Sequence, residues 1–245
     1  MIEVKLTTLN LEEVRGQLRK LADREIPFAI SYGVNLAAKD VKAGIVKKMP
    51  QIFNKPVPFT LGSLGMWPGN KTRPAATVGF REWAGKGTPA VKYLQAQVYG
   101  GKRRPKKYEV ALRRKGIIGA NQVTVPDTAF RDQFGNVRRG DIVRMMSSLQ
   151  TFTEAGFQAN AAIGSFRARE FFAFKRDNIH ITIYKRIGKS RGKNKKRQIV
   201  PFLHVIDEPN YPILFEFDKI AYSIFDSVYI RRFEEAINHT ILTRR

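Results

Sequence analysis

The spacing of apolar residues in the first fifty positions predicts one strand and two helices. Residues 2–7 alternate apolar and polar side chains, which is the period of a half-buried strand. An apolar stripe over 11–21 predicts an amphipathic helix that Asn10 can cap. Pro27 suits the first turn of a second helix, which we expect to end before Pro50 with Lys47 and Lys48 in its last turn.

The middle of the chain predicts loops and short helices. Residues 54–87 are rich in proline and glycine, and residues 76–80 are their clearest strand. Thr88-Pro89 and Arg104-Pro105 each introduce a short helix, the second of which stops at Gly116. After a turn at 132–136, apolar residues at helical spacing predict a further helix over 140–149.

The last third of the chain changes to the period of strands and returns to a helix at its end. Residues 171–174, 179–183 and 199–206 read as three strands of an antiparallel meander, with a turn at Asp177-Asn178. The closing helix carries apolar residues at helical spacing, namely Ile220, Ile224, Val228, Phe233, Ile237 and Ile241.

Composition adds a strong positive charge to this pattern. The 245 residues are 43% hydrophobic, which is enough for a core, and 44 Lys+Arg against 21 Asp+Glu give a formal charge of +23. Such a chain is expected to associate with polyanions or with an acidic protein surface. The chain has no cysteine, which excludes disulfides and thiolate metal sites, and we expect neither a secretion signal nor a membrane span.

The residue patterns that could support catalysis are weak. Residues 65–72 come within one position of a phosphate-binding loop, but Asn70 replaces the second glycine and Pro68 removes a backbone N–H donor. Imidazoles come only from His180, His204 and His239, at spacings that do not suit a metal site. We therefore expect no enzymatic activity, no cofactor and no metal.

Two basic clusters are the candidate contact sites. The first comprises Lys102, Arg103, Arg104, Lys106 and Lys107, around a short helix that also carries Arg113, Arg114 and Lys115. The second lies in the loop between two predicted strands and comprises Lys189, Arg191, Lys193, Lys195, Lys196 and Arg197. Both could contact phosphate, and a solvated loop or one that docks on an acidic neighbour is equally compatible with them.

Several blocks of the sequence resemble a family of phage virion proteins. The order of the N-terminal strand and helices, followed by KPVPFTLGSLGMWPG and ATVGF, resembles the opening of tailed-phage neck and tail-completion proteins of the minor tail protein Z type. Residues 88–117, 125–149 and 183–189 are similar to blocks in virion proteins of about this length. Residues 210–237 resemble their terminal helix and the aromatic, proline-bearing segment before it.

The resemblance implies a structural protein of the virion. Such proteins form a ring of several copies at the head–tail junction or the head-proximal end of the tail, and they contact portal, adaptor or tail proteins. The implied fold is α+β, a small antiparallel sheet packed against N-terminal and C-terminal helices. Residues 1–245 would form one domain, with 81–165 as a loop-and-helix insertion.

An alternative hypothesis starts from the charge. The same basic clusters would suit a virion protein that binds DNA without sequence preference and acts on the packaged or ejected genome. In a ring subunit, by contrast, they would neutralise phage DNA in the channel or meet an acidic portal or tail surface. A third hypothesis, an NTPase, would require Lys71 to hold a phosphate.

Overall fold

The structure, a computed structural model, describes residues 25–85, 87–153, 159–176, 181–188 and 198–243, together with positions 16, 19 and 23. Helices and small antiparallel sheets make up the described chain, which confirms the α+β class. Contacts group the chain into two compact units, one formed by residues 1–92 and 215–245 and the other by Tyr93–Leu214. The expectation of one domain, 1–245, with an insertion at 81–165 stays a prediction.

Two long helices from opposite ends of the chain form the centre of the first unit. Helix α1 (Ile26–Ile52) packs along the C-terminal helix, which is numbered α6 below (Phe217–Leu242). The face of α1 that is buried combines small and aliphatic residues at helical spacing, namely Ala29, Gly33, Ala37, Ala38, Val41, Ile45 and Met49. The small members allow the two backbones to approach closely.

Helix α1 begins where the sequence predicts and ends later. Pro27 lies in its first turn, as expected. The prediction that the helix ends before Pro50 is wrong, because α1 continues through Pro50 to Ile52 and Lys47 and Lys48 therefore lie before its last turn. Met49 is fully buried and its carbonyl accepts the N–H of Phe53 at 2.9 Å, so packing stabilises the turn that contains the proline. The predicted strand at 2–6 and most of the helix at 11–21 lie outside the described residues.

A β-hairpin completes the first unit. After the short helix α2 (Pro58–Leu61), strands β1 (Leu64–Trp67) and β2 (Thr77–Phe80) pair antiparallel and pack on α1. The Asn35 side chain holds the hairpin loop to α1, because its amide accepts the N–H of Gly69 at 2.8 Å and donates to the carbonyl of Gly69 at 3.0 Å. Phe80 of β2 contacts the rings of Phe215 and Phe217 at the start of α6.

The second unit contains a four-stranded antiparallel sheet. Its strands are β4 (Gln122–Pro126), β5 (Phe171–Lys175), β6 (Ile181–Ile187) and β7 (Gln198–Asp207), in the spatial order β4-β7-β6-β5. The predicted meander is thus confirmed for β5, β6 and β7, whereas its turn at Asp177-Asn178 lies outside the described residues. Strand β4, a short segment that ends in proline, was not predicted from the sequence.

Helices cover one face of this sheet. The unit also contains most of α3 (Ala90–Tyr99), α4 (Lys107–Arg114), α5 (Arg139–Ser148) and a two-residue pair, β3 (Gly101–Lys102) with β8 (Asn210–Tyr211). All three predicted helices, 88–98, 105–115 and 140–149, are therefore present with small shifts at their ends. The core joins one residue each from α4 and α5 to the inner face of the sheet, namely Leu112, Met145, Phe171, Ile181, Ile183, Phe202, Leu203 and Val205, with Ile118 beside them.

Side chains close both edges of the four-stranded sheet. On the β5 edge, the Ser148 hydroxyl accepts the N–H of Phe171 at 2.9 Å and lies 3.1 Å from the Phe171 carbonyl. On the β4 edge, the Glu109 carboxylate accepts the N–H of Thr124 at 2.9 Å. The carbonyls of this edge at Gln122 and Pro126 accept guanidinium N–H groups of Arg113 and Arg131. These bonds satisfy backbone groups that an open edge leaves free.

The close contact between α1 and α6 predicts the effect of one substitution. A Cβ atom at Gly33 would lie 3.3 Å from the Cα of Phe233 and from the Cβ of Ala236, so Gly33→Val should destabilise the protein by about 1 to 3 kcal/mol through overpacking. Gly140→Val is the control, because Gly140 has open space around its Cβ position. Urea unfolding followed by circular dichroism measures both, and equal midpoints would contradict the prediction.

Candidate interaction surfaces

The first basic cluster is organised by a buried carboxylate on α4. Lys106, extended after Pro105, precedes the helix, and Glu109 reaches back to accept its N–H at 2.7 Å. Arg103 donates both guanidinium ends to Glu109, at 2.9 and 2.6 Å, and Thr124 adds its hydroxyl at 2.9 Å. The Glu109 side chain has no exposed surface, so this bidentate pair is part of the interior.

The charge state of Glu109 follows from these bonds. Burial favours the neutral acid, but the hydrogen bonds from Arg103 and from the N–H groups of Lys106 and Thr124 outweigh it and lower the pKa of Glu109 from 4.5 to about 2. The carboxylate is therefore ionised at neutral pH. Arg103 neutralises the charge of the Glu109 carboxylate and so stabilises the fold. Its place in a basic cluster of the sequence does not indicate this role.

The other four cations of the first cluster are exposed. Lys102 lies 3.8 Å from Glu208 with more than half of its side chain in solvent, and Arg104, Lys106 and Lys107 follow it at the surface. Arg114 and Lys115, at the other end of α4, are exposed as well. Contact of this cluster with a polyanion or a partner stays a prediction, and Arg103 can contribute to such contact only weakly because Glu109 already binds it. The six cations of the second cluster, Lys189 to Arg197, lie outside the described residues.

The loop that resembles a phosphate site lies in the β1–β2 hairpin. Residues 65–67 belong to β1, and the chain enters β2 after the loop, whereas a phosphate-binding loop leads from a strand into a helix. Lys71 lies over the ring of Phe28, 5.2 Å from its centroid. Local geometry therefore favours a hairpin turn at this position.

The described imidazoles make contacts within the protein. His204 hydrogen-bonds to Asp127 at 3.0 Å, and His239 stacks on Tyr32 with ring centroids 4.6 Å apart. His180 lies outside the described residues. Within the described part of the chain, no group of three His, Asp or Glu side chains is placed to hold a metal ion.

Helix α6 exposes an apolar surface whose residues cannot be told from those of its packed face by their spacing in the sequence. This surface, the α6 stripe, comprises Tyr222, Tyr229, Ile230, Ile237 and Ile241. Tyr222 is 70% exposed, Ile230 is 67% exposed and Ile241 is 57% exposed. The sequence places Ile237 and Ile241 in one apolar series with Ile224 and Val228, because apolar residues occur all around this helix. That even distribution is the signal for a second contact face.

The four-stranded sheet has a second exposed surface, opposite its core. This outer sheet face comprises Phe172 and Phe174 of β5, Tyr184 and Arg186 of β6, and Ile199 of β7. Tyr184 stacks on Phe172 with centroids 5.6 Å apart, and the Arg186 guanidinium lies 4.1 Å from the Phe172 ring centroid. Phe174 and Ile199 are each more than half exposed. An aromatic surface of this kind is typical of a binding site.

The comparisons with known proteins found no relative of this chain. Neither a family model, nor a curated protein, nor a solved structure matches the chain. Among the described helices, none combines the length and the apolar character that crossing a membrane requires.

The buried pair predicts unequal effects for two neighbouring arginines. Arg103→Ala leaves the Glu109 charge without its cation and should cost about 3 to 5 kcal/mol of the free energy of unfolding. Arg104→Ala, at an exposed position next to it, should change stability by less than about 0.5 kcal/mol. Urea unfolding at neutral pH tests this pair, and the prediction fails if the two variants lose the same stability.

The pKa of Glu109 predicts a pH dependence of stability. Because the folded-state pKa of about 2 lies below the ordinary 4.5, the contribution of the carboxylate is complete above pH 4.5 and disappears as the pH falls towards 2. The difference in unfolding free energy between the native protein and Glu109→Gln should therefore shrink over this range, by about 3 kcal/mol. Denaturant titrations at several pH values measure it, and a constant difference would be the contrary result.

Proposed function

We propose that this protein is a structural subunit of a tailed-phage virion that assembles into a ring at the head–tail junction or the head-proximal end of the tail. Several copies associate with one another and with portal, adaptor or tail proteins. Its work is done by contact surfaces, without catalysis. The resemblance of the sequence blocks to neck and tail-completion proteins suggests this role, and the following observations support it.

The exposed α6 stripe is the observation that carries the proposal. A 26-residue helix that packs on α1 along one side presents tyrosine and isoleucine side chains to solvent along another. Burial of one such aliphatic side chain is worth about 1.5 to 3 kcal/mol, so a row of them favours association with a protein surface. A subunit of an assembly gains this free energy when its neighbours are in place.

The buried charges support a role without catalysis. Glu109 accepts both guanidinium ends of Arg103, the hydroxyl and N–H of Thr124, and the N–H of Lys106. Asp141 of α5 is held by Lys185 at 2.7 Å and by Arg144 at 2.6 Å. Such carboxylates are fixed in the ionised state by internal partners, which suits them to stabilise the fold rather than to exchange protons with a substrate.

A second candidate function is non-specific binding of DNA within the virion. The observation in its favour is the exposed group of cations around α4, namely Lys102, Arg104, Lys106, Lys107, Arg114 and Lys115, on a chain of charge +23. Binding of this kind weakens steeply as the salt concentration rises, because each phosphate contact releases counterions. Assembly through apolar contacts has little such dependence.

The proposed assembly predicts that a charge in the α6 stripe prevents it. Ile230→Glu should weaken association of the full chain about tenfold or more, since a buried apolar contact becomes a desolvated carboxylate. Ile163→Glu is the matched control, because Ile163 is 95% exposed and lies outside α6. Sedimentation velocity and native mass spectrometry at low and high salt measure the size of each variant.

Two results would decide against the ring. A native protein that stays monomeric over the accessible concentration range contradicts the proposal. So does a monomer whose affinity for duplex DNA falls steeply with salt, which supports the second candidate instead. Direct support would come from electron microscopy of virions in which this protein carries a label, if the label marks a ring at the neck.

A further inference from the structure

A carboxylate lies within the apolar row of α6. Asp226 is exposed and stands four residues from Tyr222 and four from Ile230, so these three side chains share one side of the helix. In the described part of the chain, no cation lies within salt-bridge distance of it. If the α6 stripe is buried by a neighbour, Asp226 is buried with it and requires a cation from that neighbour.

The outer sheet face offers such a cation among apolar side chains. Arg186 projects from β6 on the same side as Tyr184, stacks on Phe172 and donates one N–H to the carbonyl of Arg169. Within the described residues its remaining N–H donors have no other partner, so they can bind a carboxylate. The outward positions within β4 to β7 that the structure describes carry no acidic side chain. Asp127 and Glu170 lie just outside these strands and already have partners in the same chain, because Asp127 lies 3.0 Å from His204 and Glu170 lies 3.7 Å from Arg144. Arg186 is therefore the group on this face whose charge complements that of the α6 stripe.

The two surfaces are also similar in size. From Tyr222 to Ile241 the stripe extends about 28 Å at the rise of an α-helix. The sheet offers about 20 Å along β6 and about 14 Å across its four strands, which is wide enough for one helix. A helix laid on the outer sheet face would therefore cover most of the exposed aromatic side chains.

A cyclic ring requires two different surfaces on each subunit. Subunits related by a rotation other than a two-fold contact each other head to tail, so one surface of each copy meets another surface of the next. The α6 stripe belongs to the first unit of the chain and the outer sheet face to the second. These two surfaces meet that requirement and carry opposite charges, Asp226 on the α6 stripe and Arg186 on the outer sheet face.

We propose that the α6 stripe of one copy packs on the outer sheet face of the next copy, and that Asp226 pairs with Arg186 across this interface. The proposal rests on the ring assembly and specifies its interface. The occupant of the outer sheet face is thus a second copy of the same chain, and the contact repeats around the ring until it closes.

Cysteine pairs test this interface directly, since the chain contains no cysteine of its own. The full-length double variant Asp226→Cys/Arg186→Cys should give, on mild oxidation, a ladder of disulfide-linked dimers, trimers and larger species on a non-reducing gel. Each single variant should stay predominantly monomeric on the same gel. A control pair, Asp226→Cys with Arg139→Cys, places the second thiol at an exposed position on α5 and should give no ladder.

The possible results distinguish failure of the proposed interface from failure of the proposed ring assembly. Efficient dimers from Asp226→Cys alone would indicate two α6 helices face to face and overturn the proposal. A disulfide within one chain would overturn it as well, because the two surfaces would then meet in the same copy. A native protein that forms rings while the double variant gives no ladder would leave the proposed function intact and refute this interface. A native protein that stays monomeric would refute both.

Charge reversal provides an independent test that does not depend on oxidation. Arg186→Glu and Asp226→Lys should each weaken assembly about tenfold, and the double variant should recover most of the loss. Arg139→Glu and Glu82→Lys are exposed controls with the same changes in charge and should assemble like the native protein. A double variant no better than either single variant would contradict the pairing. Circular dichroism of all variants separates loss of assembly from loss of fold.

Discussion

The contact between α1 and α6 is the constraint on which the first unit depends. It joins segments far apart in the chain, and the bidentate pair of Arg232 with Asp40, at 2.6 and 2.9 Å, connects residues separated by 192 positions. Close approach at Gly33 leaves no room for a side chain between the helices. Because α6 uses one side for this contact and is apolar on others, the packing that stabilises the monomer also leaves a surface suited to a neighbour.

In the second unit, ion pairs whose carboxylates are buried or nearly buried connect the helices to the sheet. Glu109 joins the segment before α4 to the edge of the sheet, and the cluster of Asp141, Arg144, Glu170 and Lys185 joins α5 to β5 and β6. Lys185 lies in addition over the rings of Phe130 and Phe171, so its charge is accommodated among core aromatics. The described lysines and arginines therefore form two groups. Some pair with carboxylates and stabilise the fold, and others face solvent.

The sequence does not predict which cations are structural and which face solvent, whereas it does predict most of the helices and strands. Helix α1 up to Pro50, the helices over 90–99 and 217–242, and strands β5, β6 and β7 follow from periodicity, because their patterns are local in the sequence. Strand β4 and the extension of α1 past Pro50 depend on partners distant in sequence. Arg103 and Arg104 are adjacent residues of the same type. Arg103 is mostly buried because it pairs with Glu109, whereas Arg104 is exposed. The exposed side of α6 likewise appears only once α1 is in place.

The side chains that close the edges of the four-stranded sheet limit how copies of this protein can associate. Ser148 on one edge and Glu109, Arg113 and Arg131 on the other bind the backbone groups that an incoming strand would need. Open-ended growth by successive addition of strands, the route to fibrils, is thereby obstructed. Addition of a strand to this sheet is in this way disfavoured, which leaves its side-chain faces as the surfaces through which the sheet can contact a partner.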